Sequence, residues 1–294
     1  MEVLRKYAIL SLLAAACLFS SCEEEFDVKV EDTRPRIFLQ GMVSPFSSSP
    51  IYVYKAVSVG GTRSDAHKYT LRDVSLKVNG TEVGLVEEGN LGWRSEVDYS
   101  EGDELEFTIS TKETGVATAV THIPEMLGFS ADSSLVEGNI IYNIRFDESL
   151  DEDSKFAVAV IRADRQFIKV SSMPLFKPGA NETLLGALTP DFREVRLPFF
   201  NVCEALDGAI FNGKEVGSDK QLSVEVSYIE TEDQDYMLLV YTLSEELYGY
   251  LNAEYNKNNN VLSMLGLAPS NFAYSNVDGG YGVLGGYSLR EWIK

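Results

Sequence analysis

The chain has 294 residues, with 45 acidic against 25 basic side chains and a formal net charge of −20. Such a charge argues against nucleic acid and against adsorption to anionic lipid headgroups. Two histidines and three cysteines, with no His-x-x-x-His and no Cys-x-x-Cys, leave no ligand set for a transition metal.

Arg5 and Lys6 precede an uncharged apolar run from Ala8 to Phe19. Its 12 residues are too few for a helix to cross a hydrocarbon core of ~30 Å, which takes about 20, and they suit the apolar region of a signal peptide. Phe19-Ser20-Ser21-Cys22 follows and resembles a lipobox: a bulky apolar residue, two small ones, then a cysteine whose thiol takes a diacylglyceryl group. Residues 1–21 are therefore expected to be removed and Cys22 lipidated. Loss of Glu2, Arg5 and Lys6 would take the charge to −21. Cys17 leaves with the signal, so only Cys203 remains as a free thiol and no intramolecular disulfide is expected. Its apolar neighbours Pro198-Phe199-Phe200-Asn201-Val202 mark it as a small core residue rather than a nucleophile. Residues 22–35 are polar and aperiodic, and read as a flexible tether.

From Ile37 the apolar residues alternate with period two, the mark of half-buried strands. Ile37–Val43 is the first. Ile51, Val53 and Lys55 alternate with Tyr52 and Tyr54, and Val74, Leu76 and Val78 with Ser75 and Lys77. Asn79-Gly80 predicts a type I′ hairpin, since both residues accept positive φ. Thr81–Val86 is expected to return as its partner strand. Trp93–Val97, Leu105–Ser110 and Val116–Ile123 complete about seven short strands, the spacing of an immunoglobulin-like sandwich over 36–124.

A second β-rich domain is expected over 125–294. Ile140, Tyr142, Ile144 and Phe146 alternate; Lys155–Arg162 and Asp235–Leu243 read as continuous buried strands. Residues 171–220, rich in Pro and Gly, read as long loops with one or two strands and a hairpin turn at Asn212-Gly213. The period then changes. Ser244 stands as an N-cap before Glu245 and Glu246, and Leu247, Tyr248, Leu251 and Tyr255 share one face of a helix over about 244–256.

Three features bear on chemistry. Gly280-Tyr281-Gly282-Val283-Leu284-Gly285 has the form Gly-x-Gly-x-x-Gly, but nine residues follow it, too few for a βαβ nucleotide unit. Close packing of a terminal strand, or a bend at a sheet edge, is the expected use of these glycines. The acidic run Asp147–Asp153 lacks calcium-loop spacing and reads as a solvated loop. Tyr248, Tyr250, Tyr255, Tyr274, Tyr281 and Tyr287 crowd the C-terminal part and are expected mostly to fill a core. His67 and His122 sit in no recognisable triad. No catalytic, cofactor-binding or metal-ligating residue is assigned.

Together with the lipobox, Ile37–Val43, the Asn-Gly hairpin and His122-Ile123-Pro124, two strings carry a family resemblance. They are Leu243-Ser244-Glu245-Glu246-Leu247-Tyr248-Gly249-Tyr250 and Ser275-Asn276-Val277-Asp278-Gly279-Gly280-Tyr281-Gly282-Val283-Leu284-Gly285-Gly286-Tyr287. The chain resembles the domain-of-unknown-function 4249 family of Bacteroidota outer-membrane lipoproteins. That resemblance implies a non-enzymatic accessory of a TonB-dependent outer-membrane receptor in nutrient capture or uptake. The alternative is a structural or adhesive, fimbria-associated surface lipoprotein. Glu23, Glu24 and Glu25 lie within ~10 Å of extended chain after Cys22 and resemble the export signal that sends such lipoproteins to the outer face of the outer membrane. The expected partners are the outer membrane, through the lipid, and a TonB-dependent receptor.

Overall fold

The computed structural model describes residues 35–46, 49–56, 69–89, 92–167, 169–176, 193–198, 205–216, 218–259 and 274–293. In chain order the strands are β1 (Ile37–Val43), β2 (Ile51–Lys55), β3 (Leu71–Val78), β4 (Thr81–Val83), β5 (Leu85–Glu88), β6 (Gly92–Ser95), β7 (Glu104–Thr111), β8 (Gly115–His122), β9 (Phe129–Val136), β10 (Asn139–Phe146), β11 (Lys155–Asp164), β12 (Val170–Met173), β13 (Leu175–Phe176), β14 (Arg193–Leu197), β15 (Leu206–Asn212), β16 (Gln221–Ser227), β17 (Gln234–Leu243), β18 (Val277–Asp278) and β19 (Gly280–Ile293). One α-helix among the described residues, α1 (Glu245–Asn259), precedes β18. The chain is mainly β, as the alternation predicts.

A long sheet runs β14-β15-β11-β17-β19-β1-β2-β6-β5, with β12 beside β11; two smaller sheets run β13-β16-β10-β9 and β18-β8-β7-β3-β4. Period two decides the first core. Ile37, Leu39 and Val43 of β1 and Ile51 and Val53 of β2 turn inward, against Leu105, Phe107 and Ile109 of β7. Asn79 and Gly80 have φ of 51° and 75°, as the tight turn between β3 and β4 requires.

The second part has two cores, one on each face of β11 and β17. Phe156, Val158 and Val160 face Tyr142, Ile144 and Phe146 of β10. Ala157, Ala159 and Ile161 face Leu247, Leu251 and Tyr255 of α1. Burial on both sides explains why β11 and β17 read as continuous apolar runs rather than alternating ones. Each fully buried leucine of α1 stabilises the packing by roughly 2 kcal/mol. Ser244 caps the helix, its Oγ accepting the Leu247 N–H at 3.2 Å. Within the helix, Gly249 leaves room for the Tyr274 ring, which would lie 2.6 Å from an added Cβ.

β19 links these cores. Its first half pairs parallel with β1, from Ile37↔Gly280 to Val43↔Gly286, and its second half antiparallel with β17, from Leu243↔Tyr287 to Met237↔Ile293. Residues Pro35–Lys294 form one compact unit, and the chain that leaves the first sandwich at Pro124 returns to it through β18, on β8, and β19, on β1.

Four local expectations need correction. Residues 171–220 hold β12, β13, β14 and β15 rather than one or two strands. Thr81–Val86 is not one strand: β4 ends at Val83, and after Gly84 the chain enters a different sheet as β5. The Glu96 carboxylate fills the place of a Gly84 side chain, 1.9 Å from an added Cβ. Asn212-Gly213 is not a hairpin turn. A 3-10 turn, Gly213–Glu215, starts there, with the Glu215 carboxylate accepting the Asn212 N–H at 2.9 Å. Gly213 is needed because Asp151 O would lie 1.6 Å from a Cβ. The glycine-rich terminal strand β19 packs closely but sits in the middle of the long sheet, not at its edge.

Candidate ligand-binding groove

A groove of about 500 Å³ opens between α1, β1 and β14. In a flat sheet β1 and β14, five strands apart, would be about 24 Å from each other at ~4.8 Å per strand. They line one groove because the long sheet curls round the helix. Met42, Leu251 and the rings of Tyr250 and Tyr255 make the apolar part; Gln40, Arg196 and Glu254 bring polar groups to it. Burial, and then the Glu254 charge, raise the Tyr250 phenol above its usual pKa. Burial also raises Tyr255, Arg193 opposing and Glu194 adding. Both phenols therefore stay protonated hydrogen-bond donors at neutral pH.

Arg193 fixes one wall. From β14 its Nη1 donates to Tyr248 Oη at 2.8 Å and to Asn252 Oδ1 at 3.1 Å, and its Nη2 pairs with the Glu215 carboxylate. Lys155 Nζ and the Arg193 guanidinium lie 5.3 and 5.6 Å from the centroid of the Tyr248 ring. At the lip, Arg196 pairs with Asp207, which also accepts the Ser172 hydroxyl.

The groove continues onto an aromatic row. Phe38, Gln40 and Met42 occupy the outward positions of β1, where Phe38 stands in register with Tyr54 of β2 and Tyr281 of β19. Tyr52 and Tyr281 are 40% and 47% exposed, and contiguous apolar patches on a surface are the ones that mark interaction sites. Arg36 lies 5.4 Å over the Tyr281 ring.

Cys22, Glu23, Glu24, Glu25, His67 and Cys203 lie outside the described residues. His122 is exposed at the end of β8. Of the C-terminal tyrosines, Tyr248, Tyr255 and Tyr287 are buried in the helix-side core, Tyr250 and Tyr274 are half-buried, and Tyr281 is exposed. Gly280–Gly285 lies inside a strand, so its glycines serve packing. Gly282 has φ of +109°, and an added Cβ would meet Leu39 O at 1.8 Å; at Gly285 one would meet Leu247 Cβ at 2.7 Å. Asn276 secures the same segment: its amide group donates to Val120 O and Leu284 O and accepts the Leu284 N–H. Among the described residues no group of three or more His, Cys, Asp or Glu is placed to hold a metal ion. No helix among them is long and apolar enough to cross a membrane.

Sequence reasoning flagged Tyr250 and Tyr255 but missed the groove, because Gln40, Met42, Arg196 and Glu254 come from distant segments that meet only through the curl of the sheet.

The family model described as Domain of unknown function (DUF4249) matches residues 23–291. A comparison with curated proteins gives no match. Among solved structures, the chain is similar to one of manganese lipoxygenase of Gaeumannomyces graminis with partial zonadhesin of Komagataella pastoris. That likeness has 11% identity, 71% of this chain and 88% of the other, and a TM-score of 0.21. It is also similar to the collagen binding domain of Erysipelothrix rhusiopathiae surface protein RspB, at 9% identity over 89% and 96% of the two chains, with a TM-score of 0.19. Likenesses of this degree carry no functional argument.

Proposed function

The chain belongs to the DUF4249 family, and from that premise we propose that it is a non-enzymatic, lipid-anchored protein of the outer membrane that captures a ligand for a TonB-dependent receptor. The lipid sits on Cys22, and Glu23, Glu24 and Glu25 direct the protein to the outer face. The observation that carries the reading is the groove between α1, β1 and β14, continuous with a row of exposed Tyr281 and Tyr52 and half-buried Phe38 and Tyr54. A concave, mostly apolar surface with a few convergent polar groups is the usual form of a ligand site. Rigid, amphipathic tyrosines supply contact area with little conformational entropy to lose.

The test uses cells carrying wild type, Cys22→Ala or Tyr250→Ala. Wild type should fractionate with the outer membrane and be open to protease on intact cells; Cys22→Ala should leave the membrane fraction. Tyr250→Ala should stay anchored and folded while lowering uptake through the proposed TonB-dependent receptor. Unchanged anchoring of Cys22→Ala sinks the lipoprotein reading. Unchanged uptake with Tyr250→Ala sinks the groove, and a loss of surface attachment instead would favour the adhesive alternative.

A further inference from the structure

We propose that the outer edge of β14, unpaired among the described residues, is a strand-addition site, so that the groove takes an extended polypeptide segment carrying apolar and basic side chains. The inference rests on the groove being the binding surface and names what it accepts.

β14 ends the long sheet and pairs with β15 alone among the described residues, from Arg193↔Ile210 to Leu197↔Leu206. In an antiparallel pair, alternate residues exchange both backbone bonds with the partner, and the residues between them turn N–H and C=O the other way. The outer edge of β14 therefore offers a short ladder of donors and acceptors. An added strand satisfies such a ladder, and the main-chain bonds then supply affinity whatever the side chains.

Two hollows flank this edge on opposite faces of the sheet. On the helix side is the groove, with Met42, Tyr250, Leu251 and Tyr255. On the other face a hollow of about 320 Å³ is lined by Met173, Pro174 and Leu175. Glu194 and Asp207 border both. Met173 and Leu175 belong to the core opposite the one that holds Leu251 and Tyr255, which places the hollows on the two faces. Successive side chains of a strand point to opposite faces. Consecutive residues of an added strand would thus enter one hollow and then the other.

Charge selects further. Glu194, Asp207 and Glu254 border the groove against Arg196, and Arg196 is already paired with Asp207. The remaining negative charge favours Lys or Arg on the incoming segment. It also disfavours a second copy of this chain, whose own net charge is −20.

The test uses the detergent-solubilised full chain and a display library of ten-residue linear peptides. Enriched peptides should alternate apolar residues and carry Lys or Arg. The best is synthesised in two forms, N-methylated at the odd or at the even residues. One form should lose roughly tenfold or more in Kd, as expected for lost main-chain bonds of about 1.4 kcal/mol, and the other should bind as before. Hydrogen exchange should slow at alternate amides of 193–197. Tyr250→Ala should weaken the peptide several-fold. No enrichment, equal binding by both N-methylated forms, or unchanged exchange in β14 would each overturn strand addition. If Tyr250→Ala still weakens a ligand that leaves β14 exchange unchanged, the groove reading survives and the strand reading does not. If Tyr250→Ala weakens nothing that binds, the groove reading falls as well.

Discussion

Thr121 Oγ1 lies 3.2 Å from Ser244 Oγ, joining two residues 123 positions apart in a buried contact. Thr121 is the last residue but one of β8 in the first sandwich; Ser244 caps α1 of the second part. The Gly286 N–H reaches both hydroxyls, at 3.1 and 3.2 Å, and Gly286 O accepts the Ser244 N–H at 2.9 Å. Glu246 Oε2 adds a contact to Thr121 at 3.0 Å. Here β8, β19 and the helix terminus meet through polar groups in an otherwise apolar region. Buried polar networks of this kind fix geometry when every member is satisfied.

Ser244→Ala should therefore cost more than an ordinary helix cap. It strips the Leu247 N–H of its acceptor at a buried position and removes one of the two hydroxyls on Gly286. A cap alone contributes about 1 kcal/mol, and a buried amide left without a partner costs about 1–3 kcal/mol. Urea unfolding should show a loss of about 2–3 kcal/mol with an unchanged slope. Ser244→Thr should recover part of it, and a loss under 0.5 kcal/mol for Ser244→Ala would contradict the role given to this residue.

Gly282→Ala should be among the most damaging single changes in the chain. The backbone there has φ of +109°, and the new methyl would sit 1.8 Å from Leu39 O, an atom of the strand to which β19 is paired. Backbone conformation and space both forbid it, and a cost of about 3 kcal/mol or more is expected. Gly80→Ala is the control: its φ is +75° but nothing lies within 4 Å of the added carbon, so only the conformational part remains. Equal unfolding midpoints for the two variants would show that the close approach of β1 does not matter.

Much of this fold was legible from local pattern. Period two placed β1, β7 and β10, and unbroken apolar runs placed β11 and β17. Ser244 with the 3–4 spacing of Leu247, Tyr248, Leu251 and Tyr255 placed α1. What escaped is non-local. The pairing of β19 with β1 joins segments some 240 residues apart, and nothing in Gly280–Gly286 names its partner. β9 was missed for a different reason. It is an edge strand with the polar sequence Phe-Ser-Ala-Asp-Ser-Ser-Leu-Val, and an edge exposed on one side needs little apolar alternation. Asn212-Gly213 misled because an Asn-Gly pair is as useful to a cap as to a hairpin.

Stability should fall at high pH because of two buried phenols. Burial raises both Tyr142 and Tyr241 above their ordinary value of 10.0, with Tyr287 and Glu291 adding to the rise at Tyr241. A raised folded-state pKa gives stability that is complete below the unfolded value and is lost as pH climbs through the folded one. Melting temperature should thus hold to about pH 9 and drop above pH 10. Tyr241→Phe should flatten that limb. Its hydroxyl is buried without a partner among the described residues, so the change should cost nothing at pH 7 and gain up to about 1 kcal/mol. At the acid end the sign reverses. Hydrogen bonds from Ser149 and Ser154 lower Asp147 and Asp151, and what they contribute disappears as pH falls through the carboxylate range.

The helix-side wall of the groove depends on Arg193 as a fork rather than as a charge. Its two terminal nitrogens divide their bonds: one serves Tyr248 and Asn252 on α1, the other Glu215 in the turn after β15. Its side chain is 20% exposed, so these bonds are only partly screened. A lysine keeps the charge but cannot reach three acceptors in those directions. Arg193→Lys should therefore lose about 1–2 kcal/mol, and Arg193→Ala about 2–3 kcal/mol, since Glu215 then loses its cation and keeps, among the described residues, only the Asn212 N–H. The local consequence is more telling than the global one. With Arg193 replaced, α1 loses its Tyr248 and Asn252 hydrogen bonds to β14, and amides near Tyr248 and Asn252 should exchange faster while those of β7 in the first sandwich keep their rates. Native-state hydrogen exchange at pH 7 reads both. Uniform acceleration through β7 would mean that Arg193 supports the whole fold and not this wall; no acceleration in α1 would mean that the fork holds nothing.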